Sequence, residues 1–247
     1  MVARCLSVAG GAVAGRGRRL VKAIAEAALP PSVVVWRGSG LVRRVALTFD
    51  DGPSDLTRAY LDVLESAGAR ATFFVVGELC AKNPVMVGEI SQRGHELAGH
   101  GYSHRRFPSL CKLGLLRDEL YGTARLLPAD PRARSMVRPP HGAVSPASLA
   151  ACAGAGFTTV LWSRDSGDCR TTQASEVVAR TLRAGIEPGM IVLFHDGQSW
   201  TLEALRTVVT RIAGAGHEMV TVSELLGRRG CPWFFAVRSA VGDPCHG

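Results

Sequence analysis

Lysine is scarce in these 247 residues: Lys22, Lys82 and Lys112 are the whole supply, so the net charge of +8 rests almost entirely on arginine. A basic balance of this size suits an acidic polymer, an anionic membrane surface or nucleic acid. The arginines are scattered, however, and the short clusters Arg16 to Arg19 and Arg43-Arg44 lack interleaved aromatics, which argues against a nucleic-acid partner. Long apolar runs are missing too. None approaches the ~20 residues that a helix needs to span a bilayer, so no transmembrane span is expected. Peripheral membrane contact through the basic, Ala-rich N-terminal arm stays open. A disulfide framework is also lacking. Seven cysteines make an odd count, and Cys5, Cys80, Cys111, Cys152 and Cys169 have no metal-knuckle spacing. Cys231 and Cys245 flank a short tail loop and are expected to stay unpaired. Leu6-Ser7-Val8-Ala9 begins like a secretory leader, but Gly10, Gly11, Gly15 and the arginine cluster cut its apolar core short and no clear cleavage site follows. A cytoplasmic location is therefore favoured, with the cell-envelope surface as the alternative. No sequence repeat is evident.

What is present fits one large α/β domain with a buried core: the length suffices for it, and 47% of residues are hydrophobic. Residues 1–43 read as a basic, Ala-rich arm, with a short helix from Leu20 to Leu29 ended by Pro30-Pro31. From Arg44 onward strands and helices alternate. Strands are expected at Val45 to Phe49, Ala71 to Val76, His95 to Ala98, Met136-Val137, Thr158 to Trp162, Met190 to Phe194 and Glu218 to Val222. Helices are expected at Leu56 to Ala67, Pro84 to Gln92 and Leu113 to Leu127, and near 145–154, 174–184 and 200–214. Repeated β-α units imply parallel strands with right-handed crossovers, in an open sheet or a barrel. Residues 228–247 form an irregular tail whose Trp233-Phe234-Phe235 cluster is expected to pack over the domain.

Chemistry gathers where these strands end. Val45-Ala46-Leu47-Thr48-Phe49 runs directly into Asp50-Asp51-Gly52-Pro53. Adjacent carboxylates repel each other, so a metal or an arginine should be near; the plain alternative is an Asp-rich turn capping the next helix. His100-Gly101-Tyr102-Ser103-His104 follows a short apolar stretch, Arg138-Pro139-Pro140-His141-Gly142 follows Met136-Val137, Asp165 and Asp168 follow Trp162, and His195-Asp196 follows Phe194. A lone histidine is more often a surface or core residue. Two of them four apart beside a tight Gly-containing loop can turn both imidazoles to one point. With one carboxylate added, two nitrogens and one oxygen leave open positions, the arrangement of a catalytic divalent site. Polar groups on the ends of many strands favour a barrel over an open sheet, whose site sits at one switch point.

With these motifs in this order, residues 44–227 closely resemble the polysaccharide deacetylase family (NodB-like homology domain, carbohydrate esterase family 4). The resemblance implies a distorted (β/α) barrel of about seven parallel strands. It also implies a metal-dependent hydrolase that removes the N-acetyl group from an amino sugar in a glycan or glycoconjugate. It places one divalent metal on Asp51, His100 and His104, with zinc first and cobalt, nickel or iron as alternatives. Asp50 becomes the general base, oriented by Arg138; His195 becomes the general acid, supported by Asp168. The His141 N–H is the expected oxyanion donor, and Leu193 the apolar wall for the acetyl methyl. Asp196 is expected to be a turn or cap residue. Three positions depart from the family. Gly101 stands where Ser or Thr is usual, which predicts a looser loop unless Ser103 compensates; His141 replaces Tyr; Cys169 replaces Trp and widens the acyl pocket. Other readings are a cyclic-amide hydrolase of the allantoinase type, a non-catalytic glycan-binding module, and a membrane-surface or nucleic-acid-associated protein. A monomer is expected.

Overall fold

The computed structural model describes residues 29–128 and 136–227. The Leu20 to Leu29 helix (but for its last residue), the Trp233-Phe234-Phe235 cluster and the pair Cys231 and Cys245 lie outside them. The described strands are β1 (Val34–Val35), β2 (Arg44–Gly52), β3 (Ala71–Val75), β4 (Glu96–Gly99), β5 (Met136–Val137), β6 (Thr158–Val160), β7 (Arg164–Asp165), β8 (Ile191–His195) and β9 (Glu218–Met219). All pair in parallel in the order β1-β6-β5-β4-β3-β2-β8-β7, and β9 joins the start of β2. The sheet curls into a half-barrel. Arg138, just past β5, places one guanidinium nitrogen 2.7 Å from Asp50 of β2. In a flat sheet those strands would stand about 14 Å apart, three strand spacings, beyond the reach of one side chain.

Alternation along the strands sorts the side chains into two cores. On β2 and β8 the outward residues Val45, Leu47, Phe49, Val192 and Phe194 pack against the helices. Phe49 lies between Phe73 and Phe194 at ring distances of 5.0 and 5.6 Å, with Tyr60 of the helix Thr57–Ser66 edge-on at 5.3 Å. The inward residues Ala46 and Ile191 meet Phe74, Ala98, Met136 and Val160 inside the curl, with Val220, Val222 and Leu225 alongside. Thr48, Asp50, Leu193 and His195 share that inward alternation, so the same period that fills the interior also carries polar groups to its open end.

The structure revises several boundaries. The helix expected from Leu113 to Leu127 is shorter, Leu116–Ala124, and a separate helix, Phe107–Lys112, precedes it; Gly114 between them has a φ of +72° that no right-handed helix accommodates. The last strand stops at Met219, because Thr221 and Glu224 form a reciprocal capping box that starts the helix Val222–Leu225. The N-terminal stretch contributes to the sheet ahead of residue 44, since Val34 and Val35 pair with Thr159 and Val160. Two-residue strands supply the excess over the seven expected. The helices Pro84–Gln92, Pro146–Gly154, Ala174–Leu182 and Ser199–Gly214 lie where the pattern put them.

Candidate active site

Adjacent residues of a regular strand face opposite ways, yet Asp50 and Asp51 serve the same site. The register of β2 against β3 shifts between Asp50 and Gly52, and Asp51 takes a φ of +71°. This bulge re-aims the second carboxylate toward the histidines. Oδ1 of Asp51 comes to 3.3 Å from His100 Nε2 and 3.0 Å from His104 Nε2. It is buried and accepts no hydrogen bond from the protein. Burial tends to raise the pKa of this carboxyl, but the facing imidazoles of His100 and His104 outweigh it and hold Asp51 well below the usual carboxylate range.

His100 is buried, and its Nδ1 lies 2.8 Å from the carbonyl oxygen of Arg138. A carbonyl only accepts, so Nδ1 carries a proton there, and Nε2 is the nitrogen turned toward Asp51. His104 reaches the same point from a backbone with φ +55°. One oxygen of Asp51 and one nitrogen from each histidine lie within 4.8 Å of one another. A buried carboxylate oxygen without a donor, facing two imidazole nitrogens, fits a divalent cation: hard oxygen and borderline nitrogen donors with room for further ligands.

Gly101, with φ +77°, lets the loop between the two histidines turn where a hydroxyl-bearing residue would be strained. The loop is not left loose as the sequence suggested. Glu119 accepts from the backbone N–H groups of Tyr102 and Ser103, both at 2.8 Å, and from the Ser103 hydroxyl. From below, Gly77 donates to the Gly101 carbonyl at 3.0 Å; a Cβ there would lie 2.4 Å from the Tyr102 ring. Ser103 does compensate, but Glu119 is the brace.

Arg138 is fully buried and crosses the interior. It donates to Asp50 Oδ1 at 2.7 Å, to Thr48 Oγ1 at 2.8 Å and to the carbonyls of Val160 and Leu161 at 3.1 and 3.2 Å. Its guanidinium carbon lies 4.0 Å from the Phe74 ring centre. Those contacts satisfy a buried cation on every side and leave Asp50 Oδ2 toward His100, at 3.8 Å.

Opposite stands His195, whose Nδ1 is 2.7 Å from Asp168 Oδ1. Asp168 is itself held: Oδ2 accepts from the His195 backbone N–H at 2.7 Å and the Thr201 hydroxyl at 2.9 Å, while its carbonyl accepts from the Trp200 indole. Burial opposes protonation of His195, but Asp168, with smaller help from Asp51 and Asp50, pushes its pKa up to about 10. Leu193 lies two residues below on the same inward face, 4% exposed. Cys169 is half-buried, its sulfur within 4.8 Å of the ligating atoms of Asp168 and His195. His141 is exposed, with φ +60° and its ring 4.7 Å from that of His104. Trp162 closes on the same turn, where a Cβ on Gly142 would stand 2.6 Å from its ring. Asp196 pins the turn after Pro53 through the hydroxyls of Ser54 and Thr57.

All ten candidate positions thus border one region. Sequence reasoning gave no role to Thr48, Glu119, Thr201 and Trp200, which act through other residues; Thr48 opens the first strand-end motif, and the other three lie outside the motifs.

A polysaccharide deacetylase family model matches residues 38–160. A peptidoglycan-N-acetylglucosamine deacetylase of Bacillus cereus is 32% identical over 203 residues, 80% of this chain and 94% of the relative. The peptidoglycan-N-acetylglucosamine deacetylase PgdA of Listeria monocytogenes is 32% identical over 188 residues; this chain spans 40% of its length. The crystal structure of a peptidoglycan N-acetylglucosamine deacetylase in complex with a substituted benzamide superposes with a TM-score of 0.74 at 27% identity, covering 80% of this chain and 94% of the other. With the half-barrel and the ordered strand-end motifs, these matches establish that the chain belongs to the polysaccharide deacetylase family.

Proposed function

We propose that the protein is a metal-dependent hydrolase that removes the acetyl group from an N-acetylated amino sugar within a glycan, releasing acetate. The observation that carries the reading is the donorless Asp51 oxygen facing two imidazole nitrogens, with Asp50–Arg138 on one side and Asp168–His195 on the other. Asp51, His100 and His104 would hold one divalent ion, zinc being the first choice. Such an ion polarises a carbonyl and acidifies water.

The remaining work falls to the chain's own groups. Asp50, oriented by Arg138, takes the proton of the attacking water. The His141 N–H donates to the oxygen that becomes negative in the tetrahedral adduct. His195, protonated and fixed through Nδ1 by Asp168, delivers its Nε2 proton to the departing nitrogen. Leu193 offers an apolar contact for the acetyl methyl. The names of the relatives support a glycan as substrate, with peptidoglycan first.

The test is acetate release by metal-quantified protein on peptidoglycan fragments, chitin oligomers and small N-acetyl glycosides. His104→Ala should lose both the bound metal and turnover. A His104→Ala protein with its metal and rate intact refutes the ligand set, and amide opening without acetate would point to a cyclic-amide hydrolase.

A further inference from the structure

Beside the turn that carries Asp168 lies a cleft of about 390 Å³ lined by Ser163, Arg164, Asp165, Arg170, Arg180 and Arg183. It is separate from the metal-binding triad and has no part in the mechanism above. Four guanidinium groups converge on it against one lining carboxylate, and that carboxylate is occupied: Asp165 Oδ1 accepts from the Gly167 N–H at 2.7 Å and Oδ2 from Arg170 at 3.0 Å. Glu176, on the next helix, pairs with Arg180 at 2.7 Å, and Glu187 stands 3.8 Å from Arg164. Arg180 and Arg164 each also donate to a backbone carbonyl, Gly167 at 2.9 Å and Gly185 at 3.3 Å. Among the described residues no carboxylate pairs with Arg183.

Each guanidinium has five N–H donors in a planar fork, so the carboxylates present leave most of the donors around the cleft unanswered. Such forks match the paired oxygens of a carboxylate or phosphate. Asp165, Glu176 and Glu187 face three of the four guanidiniums, which leaves an excess of one positive charge at Arg183 for an entering anion to answer. We propose that this cleft is an oxyanion-binding site, for a carboxylate or phosphate. Its ligand is either a substituent on the glycan strand being deacetylated or free phosphate; the first source rests on the glycan deacetylase reading. Arg170 shares a single turn with Asp168, and Arg180 holds Gly167 beside it, so an occupant lies next to the support of His195.

The experiment compares wild type with Arg183→Glu, whose side chain is exposed and outside the catalytic machinery. Calorimetric titration with inorganic phosphate, on metal-free protein to silence the metal site, should show binding that Arg183→Glu weakens by about tenfold or more, the scale of one charge-assisted pair. In parallel, kcat/KM of metal-loaded protein is measured on a neutral chitin oligomer and on a strand of equal length bearing carboxylates. If the ligand is on the strand, Arg183→Glu loses about tenfold on the charged strand only, and phosphate competes with that strand alone. If the ligand is free phosphate, phosphate changes the rate on both strands and Arg183→Glu removes the effect. No phosphate binding and an unaltered strand preference overturn the proposal. Phosphate binding lost in Arg183→Glu, with neither strand turned over, supports the oxyanion site and refutes the deacetylase reading instead.

Discussion

Asp168→Asn isolates what keeps His195 charged. The two side chains meet at 2.7 Å, with Asp168 fully buried. Burial alone would carry the imidazole below its ordinary 6.5, yet its pKa reaches about 10, chiefly through Asp168. The difference is worth on the order of 5 kcal/mol between the two protonation states. Asparagine keeps the volume and can still accept the Nδ1–H bond, but it removes the charge. The burial penalty is then left against the weaker pull of Asp51 and Asp50. The alkaline limb of kcat/KM should move down by about two pH units or more. An imidazole whose titration has moved from about 10 to about 8 is protonated in roughly one molecule in ten at about pH 9, so activity there falls about tenfold beyond any loss seen near pH 6. Stability gives a second readout with a definite sign. A histidine whose folded pKa is raised stabilises the fold fully below about 6.5, and that contribution fades as pH rises through about 10. The gap in Tm between wild type and variant should therefore be widest at acid pH and narrow toward pH 10. Acetate-release profiles and thermal melts across pH test both; an alkaline limb that stays where it was refutes the assignment of His195 as the acid supported by Asp168.

Three further outcomes follow from the same geometry. Asp50→Asn should keep its metal while losing about two to four orders of magnitude in rate, whereas Asp51→Asn should lose metal affinity as well; identical metal content and kinetics in the two variants would refute the division of roles. Glu119→Gln weakens the brace of the histidine loop and should lower metal affinity by about 10–100-fold with little change in Tm; equilibrium metal titration measures it, and unchanged affinity would show that the loop holds its shape without Glu119. Cys169→Trp should restore a ring beside His195, raising kcat/KM on N-acetyl substrates and lowering it on N-propionyl ones, on a scale of roughly 1–3 kcal/mol; a stable variant with unchanged acyl preference would show that residue 169 does not line the pocket.

The strand-end motifs were readable because chemistry restricts them. Few residue types can follow a buried strand with two carboxylates, or set two imidazoles four apart, and neutral reasons for doing so are scarce. The unbroken apolar runs of β2 and β8 marked them as buried strands, but a strand covered on both faces does not tell from its residues which side chains turn inward. What stayed hidden was geometry without a residue signature. Nothing in Asp50-Asp51 announces the bulge that puts both on one side, since a regular strand would separate them. Two-residue strands such as Val34–Val35 and Arg164–Asp165 are too short to show a period. Glu119 braces a loop 16 and 17 residues earlier in the chain, and on its own helix it looks like any solvated glutamate. Gly101 was legible as a departure but not as a remedy, because its φ is a property of the folded loop.

Arg138 has a consequence for how such a protein can change over generations. Its guanidinium is sealed in the interior, and Asp50 is its only carboxylate partner among the described residues. Removing one member of a buried ion pair costs about 3–5 kcal/mol, a large share of the roughly 5–15 kcal/mol that holds a typical domain together. A duplicated copy, released from any need to turn over substrate, would still be constrained at position 50 by the need to fold. Inactivation at this position should therefore cost stability unless Arg138 is replaced with it, and loss of His195 does the same to the buried Asp168, whereas the part-exposed His104 could drift alone. The order in which catalytic residues can be lost is set by which of them the interior also depends on.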